Sequence, residues 1–185
     1  HFLSRSITDA RLARRAPEFV AESHRHWRAA HGAEPLEAPL RLPGRTLPGR
    51  CVTVEQAGDG SRRPAVGTAG ARAVARMPGG DVLELSAEPG AAGGWVHAPD
   101  DERGLPAAAA RLAGLAAGGA GLVGVHGGTP LTRTLLTEQA RMEHGLAALL
   151  VDPALDRDRA VTAVLSGRAD LVGADAAAVA RWTAP

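Results

Sequence analysis

In the second half of the chain, stretches with helical spacing of apolar residues alternate with short unbroken apolar runs. Pro106 stands at a first helical position and opens PAAAARLAGLAAGG. GLVGVHGG, from Gly121 to Gly128, follows as a buried strand with a glycine-rich exit. Thr129-Pro130 is a cap followed by a proline at the first helical position. It starts a helix through Leu131, Leu135 and Met142 that ends at His144-Gly145, and Leu146 to Val151 is the next strand. The unit then repeats. Asp156 sits as an N-cap, Leu155 before it staples onto Ala160, and Ala160, Val161, Val164 and Leu165 share one helical face. Gly167 stops that helix, Ala169 to Val172 is a strand, and Gly173 lets the backbone turn at the strand's carboxyl end, where ligands bind in parallel α/β folds. Helix-then-strand units in a row, with crossovers of about a dozen residues or more, predict an α/β fold with a parallel sheet. A doubly wound sheet and a (β/α) barrel both fit this pattern.

The first half has a different texture. Residues 8–31 read as two short helices split at Pro17, with Phe19, Val20 and Trp27 as an apolar stripe and several arginines opposite. Ala33 to Arg50 holds Pro35, Pro39, Pro43 and Pro48, and reads as a linker running into a small hairpin that turns at Pro43-Gly44. Cys51 to Val54 is the first strand expected. Gln56 to Gly70 is polar and Gly-rich and reads as a loop, Ala71 to Arg76 as a short helical piece, and Val82 to Leu85 as a strand. Ala87 to Gly104, rich in Gly, Pro and acids, carries no clear period.

Length narrows the choice of fold. A complete eight-stranded barrel usually needs about 250 residues, and this chain has 185, so a barrel here is expected to be incomplete or contracted. All 21 basic residues are Arg, 20 acids balance them, and the net charge is +1. The arginines are scattered, which argues against a nucleic-acid surface. No apolar run reaches the length of a membrane span, and no signal peptide is evident. With Cys51 as the lone cysteine no intrachain disulfide can form, and a cytoplasmic setting is the default. A chain that opens on His1 instead of Met is expected to be a fragment or a processed piece.

Few residues suggest chemistry on their own. His126-Gly127-Gly128-Thr129, ahead of a helix N-terminus, could hold an anion, because free amides and the helix dipole point there; a tight capped turn explains it as well. Gly119 to Gly124 spells GxGxxG but precedes a strand instead of following one. His24, His26 and His31 are close in sequence, yet His24 and His26 face apart on a helix, so no metal site is assigned. His144 suits the carbonyl end of a helix dipole. Cys51 lies in an apolar strand without an activator. Glu84 and Glu88 are split between a strand and a loop, Asp100, Asp101 and Glu102 form a solvated turn, and Trp95 and Trp182 read as packing anchors.

Five segments in order carry a family resemblance: SRSITDARLARRAPEFV, APLRLPGRTLPGRCVTV, DVLELSAEPG, TPLTRTLLTEQARMEHGLAALLVD and LSGRADLVGAD. Together the chain resembles the junction and second half of two-part flavoproteins. In these an FAD-dependent hydroxylase is fused to an Old Yellow Enzyme-like, FMN-binding barrel, as in salicylyl-CoA 5-hydroxylases and 2-aminobenzoyl-CoA monooxygenase/reductases. The resemblance implies that residues 1–35 are a helical segment and linker from the hydroxylase tail. Residues 36–185 would be a contracted Old Yellow Enzyme-like (β/α), TIM-barrel-like domain.

Against that family pattern, several positions differ. The turn expected against the flavin after the first strand is here Val54, Glu55 and Gln56. The family's two histidines and Gly-Tyr are replaced by Ser86 and Pro89, then Gly90 and Ala91, so no catalytic residue is assigned. Asp152 stands where the phosphate of FMN expects a glycine, and Ala176 where it expects an arginine. An aspartate facing a phosphate is repelled by about 4 kcal/mol at 4 Å with an effective dielectric near 20. Gly127, Gly128, Gly173 and Ala174 are the candidate cofactor contacts that remain. The resemblance thus implies the reductase-like part of a flavin-dependent aromatic hydroxylase. It would be degenerate, inactive by itself, and serve as a packing or dimerisation module beside a flavin hydroxylase domain in cis or in trans, or in a homodimer. The alternative is an active FMN-dependent NAD(P)H oxidoreductase.

Overall fold

Apolar runs bounded by caps become strands that close on one another. The computed structural model describes residues 10–57, 72–77 and 80–184. Helix α1 is Ala10–His31, and strands β1 (Leu40–Leu42) and β2 (Arg45–Leu47) form a hairpin that turns at Gly44, whose φ is +76°. The order continues β3 (Cys51–Ala57), β4 (Arg72–Arg76), β5 (Val82–Ser86), β6 (Gly93–His97), α2 (Leu105–Ala117), β7 (Leu122–His126), α3 (Pro130–Met142), β8 (Ala147–Val151), α4 (Arg157–Leu165), β9 (Leu171–Ala174) and α5 (Ala176–Thr183).

Strands β3 to β9 form a closed seven-stranded barrel in sequence order. It closes where β9 runs parallel to β3, from Cys51 opposite Val172 to Thr53 opposite Ala174. Strand β4 is antiparallel to both its neighbours, while the pairs from β5 to β9 are parallel. The fold is therefore α/β with a mixed barrel. The expectation of a parallel sheet in an incomplete or contracted barrel is met in part: β3 finds β9, so seven strands close into a barrel in which each has two neighbours, but β4 runs antiparallel to both β3 and β5.

Alternation along each strand divides the core. Val52, Leu85, Trp95, Leu122, Leu149 and Leu171 point into the barrel. Gly124 and Gly173 make room for them: a Cβ at Gly124 would lie 2.5 Å from the Trp95 ring, and one at Gly173 would lie 2.9 Å from Val54 Cγ2. Outward residues meet helices. Val96, Val123 and Ala148 pack in the cluster that holds Leu112 of α2 and Leu136 of α3, and Cys51, Val172 and Ala174 pack with Ala163 of α4 and Trp182 of α5. Leu47 of the hairpin is fully buried in the interior cluster, and Pro43 lies 3.8 Å from a Cβ built on Gly121, so the hairpin plugs the barrel at the amino end of β7. Among the described elements no helix packs extensively on β4 or β5, where Arg72, Arg76, Val82 and Glu84 are exposed.

The LSGRADLVGAD junction forms as its pattern predicts, with corrections of detail. Asp156 caps α4 by accepting from Arg159 N, and Gly167 adopts φ +69°. Asp170 then accepts from Arg141 Nε at 2.9 Å and from Ala148 N at 3.0 Å, tying α3 and β8 to the amino end of β9. That end of a barrel serves stability. Gly173 is no turn residue; it lies inside β9 and faces the interior.

Other expectations fail for physical reasons. Arg72–Arg76 is a strand, not a helical piece: Ala73 and Ala75 point inward and the arginines outward, a period of two hidden by small side chains. Helix α1 runs unbroken through Pro17, because the many Ala, Arg and Glu around it outweigh one missing hydrogen bond. Strand β6 occupies Gly93–His97, within the stretch that showed no period, because its two glycines hide the alternation. No described helix is long and apolar enough to cross a membrane.

Candidate site at the barrel mouth

The carboxyl ends of three successive strands bring polar side chains together at the rim of an otherwise apolar barrel. His97 ends β6 and His126 ends β7, paired in register, and Asp152 follows β8. Trp95, two residues before His97, stacks on the His126 ring at 4.1 Å and 11°. The two imidazoles meet edge to face, with centroids 4.9 Å apart. Burial, then the neighbouring His97 and Arg133, push the His126 pKa down to about 3, so this ring is neutral at physiological pH. His97 Nδ1 is buried with no protein partner.

Arg133, in the first turn of α3, closes one side. Its Nη1 donates to the carbonyls of Gly127 at 2.7 Å and Gly128 at 3.0 Å, and its Nη2 donates to Asp152 Oδ2 at 2.6 Å. Asp152 Oδ1 accepts from Ala154 N at 2.9 Å, and Asp152 N donates to Gly173 O at 3.1 Å. Both side chains of the ion pair are buried, at 9% and 12% exposure. The neutral His126 imidazole stacked on an indole, with the His97 ring edge-on to it and a compensated ion pair beside them, can accept and donate hydrogen bonds to a polar group. The neutral ring and the ion pair offer no free positive charge to an anion.

The expected cofactor contacts have other duties. Gly127 has φ +68°, and a Cβ there would sit 2.3 Å from His97 Nε2, so this glycine lets the imidazole pack. Gly128, with φ +57°, approaches the carbonyls of Ala98 and Pro99 in the same way. Gly173 faces the interior, and Ala174 faces outward toward Trp182. The anion loop is a capped turn: Thr129 Oγ1 accepts from Thr132 N at 3.2 Å, and Thr132 Oγ1 accepts from Thr129 N at 3.1 Å. Ser86, Pro89 and Ala91 lie away from the mouth. They line a groove of about 890 Å³ with Arg45, Arg72 and Glu84, on the outside of the barrel.

Histidines 24, 26 and 31 do not converge. His24 Nδ1 lies 3.4 Å from Glu34 Oε2 and the His31 ring lies tilted against Trp27, and the described residues contain no cluster of three or more metal-ligating side chains. Cys51 borders a hollow of about 680 Å³ between α1, the linker and α4–α5. Burial pushes its thiol up to about 11, which leaves it protonated and unreactive.

A phosphate of FMN does not fit the ends of β8 and β9. Asp152 is buried there, and the amide Ala178 N of α5 is taken by Asp175 Oδ1 at 2.8 Å. The carboxylates of Asp152 and Asp175 stand at these two strand ends, where they would repel a phosphate.

Comparison with known proteins gives this geometry a setting. The chain is similar to a salicyloyl-CoA 5-hydroxylase from Streptomyces sp. Identity is 44% over 173 residues, which is 94% of this chain and 31% of that hydroxylase. The chain thus spans about a third of the length of the curated relative it matches. The likeness to the hydroxylase covers α1 as well as the barrel, since so little of the chain lies outside it. No protein-family model matches the chain, and no solved structure matches it.

His97, Arg133 and their arrangement were not singled out in the sequence. The signal was the end-of-strand position of His97 and His126, and it is readable only once Gly93–His97 is known to be a strand pairing with β7.

Proposed function

We propose that this chain is the reductase-like barrel portion of a flavin-dependent aromatic hydroxylase of the salicyloyl-CoA 5-hydroxylase kind. Within that protein it packs or dimerises instead of reducing flavin. Residues 1–35 then belong with the hydroxylase portion, which would hold FAD, and residues 36–185 form the barrel module. The observation that carries the parent assignment is the 44% identity across 94% of the chain. The module role draws support from the carboxylates at the ends of β8 and β9, from an interior filled by Trp95 and leucines, and from the exposed outer face of β4 and β5, where Val82 is 45% exposed.

The direct test is the purified chain. It should carry no stoichiometric flavin by visible absorbance and should not oxidise NADH or NADPH with added FMN. It should self-associate or bind a hydroxylase portion in sedimentation measurements. A yellow protein reduced by either nucleotide would sink the module role, and a stable monomer with no affinity for a hydroxylase portion would count against it as well.

One observation favours the second reading, an active FMN-dependent NAD(P)H oxidoreductase of the Old Yellow Enzyme family. The paired His97 and His126 imidazoles lie where a barrel carries its catalytic groups. The same flavin measurement separates the two.

A further inference from the structure

Eight-stranded (β/α) barrels frequently bind phosphate at the loops after their last two strands, beside the N-terminus of a short helix, and the parallel part of this mixed barrel ends in two such loops. In this chain those loops begin at Asp152 and Asp175, and the short helix is α5. Asp152 is not a stray carboxylate there. One oxygen accepts from a backbone amide, Ala154 N, and the other accepts from Arg133 Nη2 at 2.6 Å, in a pair that is nine-tenths buried. A backbone amide and a guanidinium converging on one oxyanion are the groups that hold a bound phosphate or carboxylate. Arg133 also keeps its Nε buried with no protein partner, so the guanidinium has a donor beyond those its neighbours use.

We propose that Asp152 is a built-in anion. Its carboxylate takes the place of a ligand's phosphate at Arg133, so that the barrel mouth is complete without a phosphate-bearing cofactor. This deepens, and rests on, the assignment of the barrel as a module that does not reduce flavin. Removing the carboxylate should convert a closed ion pair into an anion-binding site: Arg133 is left charged and buried, and the vacated volume opens beside it.

The test is thermal unfolding of the wild type and of Asp152→Gly in chloride and in inorganic phosphate at matched ionic strength. Loss of a buried partner should lower the variant's midpoint in chloride by roughly 10 °C. Phosphate should restore at least half of that loss along a saturating curve, and should move the wild type no more than chloride does. Adding Arg133→Met to Asp152→Gly should abolish the phosphate response. If Asp152→Gly does not accumulate folded, its refolding yield from urea in the two salts makes the same comparison, with a phosphate-dependent gain expected. Equal phosphate stabilisation of the wild type and the variant overturns the proposal, and so does a variant indifferent to phosphate. Flavin uptake by the wild type, by contrast, would defeat the module role while leaving the phosphate response of the variant as a separate result.

Discussion

The barrel has two kinds of wall. From β6 to β9 each strand is parallel to its neighbours and sheathed by helices, and β7 is buried at every position from Leu122 to His126. From β3 to β5 the wall is antiparallel. The outer face of β4 and β5 carries Arg72, Arg76 and Glu84 to solvent, with only their inward residues buried. The polar mouth belongs almost wholly to the first wall: Trp95, His97, His126, Arg133 and Asp152 all come from β6 to β8 and the helix between β7 and β8. Strands covered on both faces must be apolar along their length, so any polar residue they carry inside needs a specific partner. Strands with a wet face place no such demand on their outward positions. Substitutions should therefore be costly in the helix-covered wall and cheap in the other.

The largest expected effect lies in the buried ion pair. Asp152→Ala strands the Arg133 charge and should cost about 3–5 kcal/mol by urea denaturation, because a buried charge loses its partner; a cost below ~1 kcal/mol would mean that the mouth is wetter than the geometry shows.

Next is acid sensitivity. His126 has a folded pKa of about 3 against an ordinary 6.5, so below pH 6.5 the unfolded chain binds a proton that the folded chain refuses. Stability is intact above that value. It should fall as pH drops from 6.5 toward 3, by up to ~1.4 kcal/mol per pH unit, and His126→Leu should flatten that part of the profile. Melting curves across the range decide it.

Gly124→Ala forces a methyl against the Trp95 ring and should cost about 1–3 kcal/mol, seen as a lowered melting midpoint with the Trp fluorescence perturbed. Thr129→Ala removes one half of the capping box of α3, for about 1 kcal/mol in the same assay.

At the small end, Val82→Thr on the open face should change stability by no more than about 0.5 kcal/mol. Arg76→Ala breaks an exposed pair with Glu55 at 3.2 Å, and should do as little. A loss of several kcal/mol from either would show that the antiparallel wall is not the tolerant one.

Legibility in the sequence follows the same division. The sheathed wall could be read from its caps and runs: Thr129-Pro130, Asp156, Gly145 and Gly167 marked where helices begin and end, and β7, β8 and β9 fell within two residues of their expected places. The antiparallel wall could not. Ala73 and Ala75 satisfy a strand interior and a helix equally well, and Gly93-Gly94 erase the alternation of β6. Missing β6 also concealed His97, and with it the imidazole pair. Asp152 was recognised as repulsive to a phosphate, but its partner Arg133 lies 19 residues away in sequence, and no local pattern joins them.

By itself, the sequence determined which stretches alternate between helix and strand, where the helices are capped, and that the chain is similar to part of a hydroxylase over most of its own length. Those are local properties: turn chemistry, spacing and residue identity act within a few positions. Only the tertiary structure decided that seven strands close, that one of them runs backwards, and that Arg133 neutralises Asp152 at the mouth. Closure depends on whether β9 can reach β3, and neutralisation on which charge lies opposite which. Both are set by packing between segments far apart in sequence, where period and propensity carry no information.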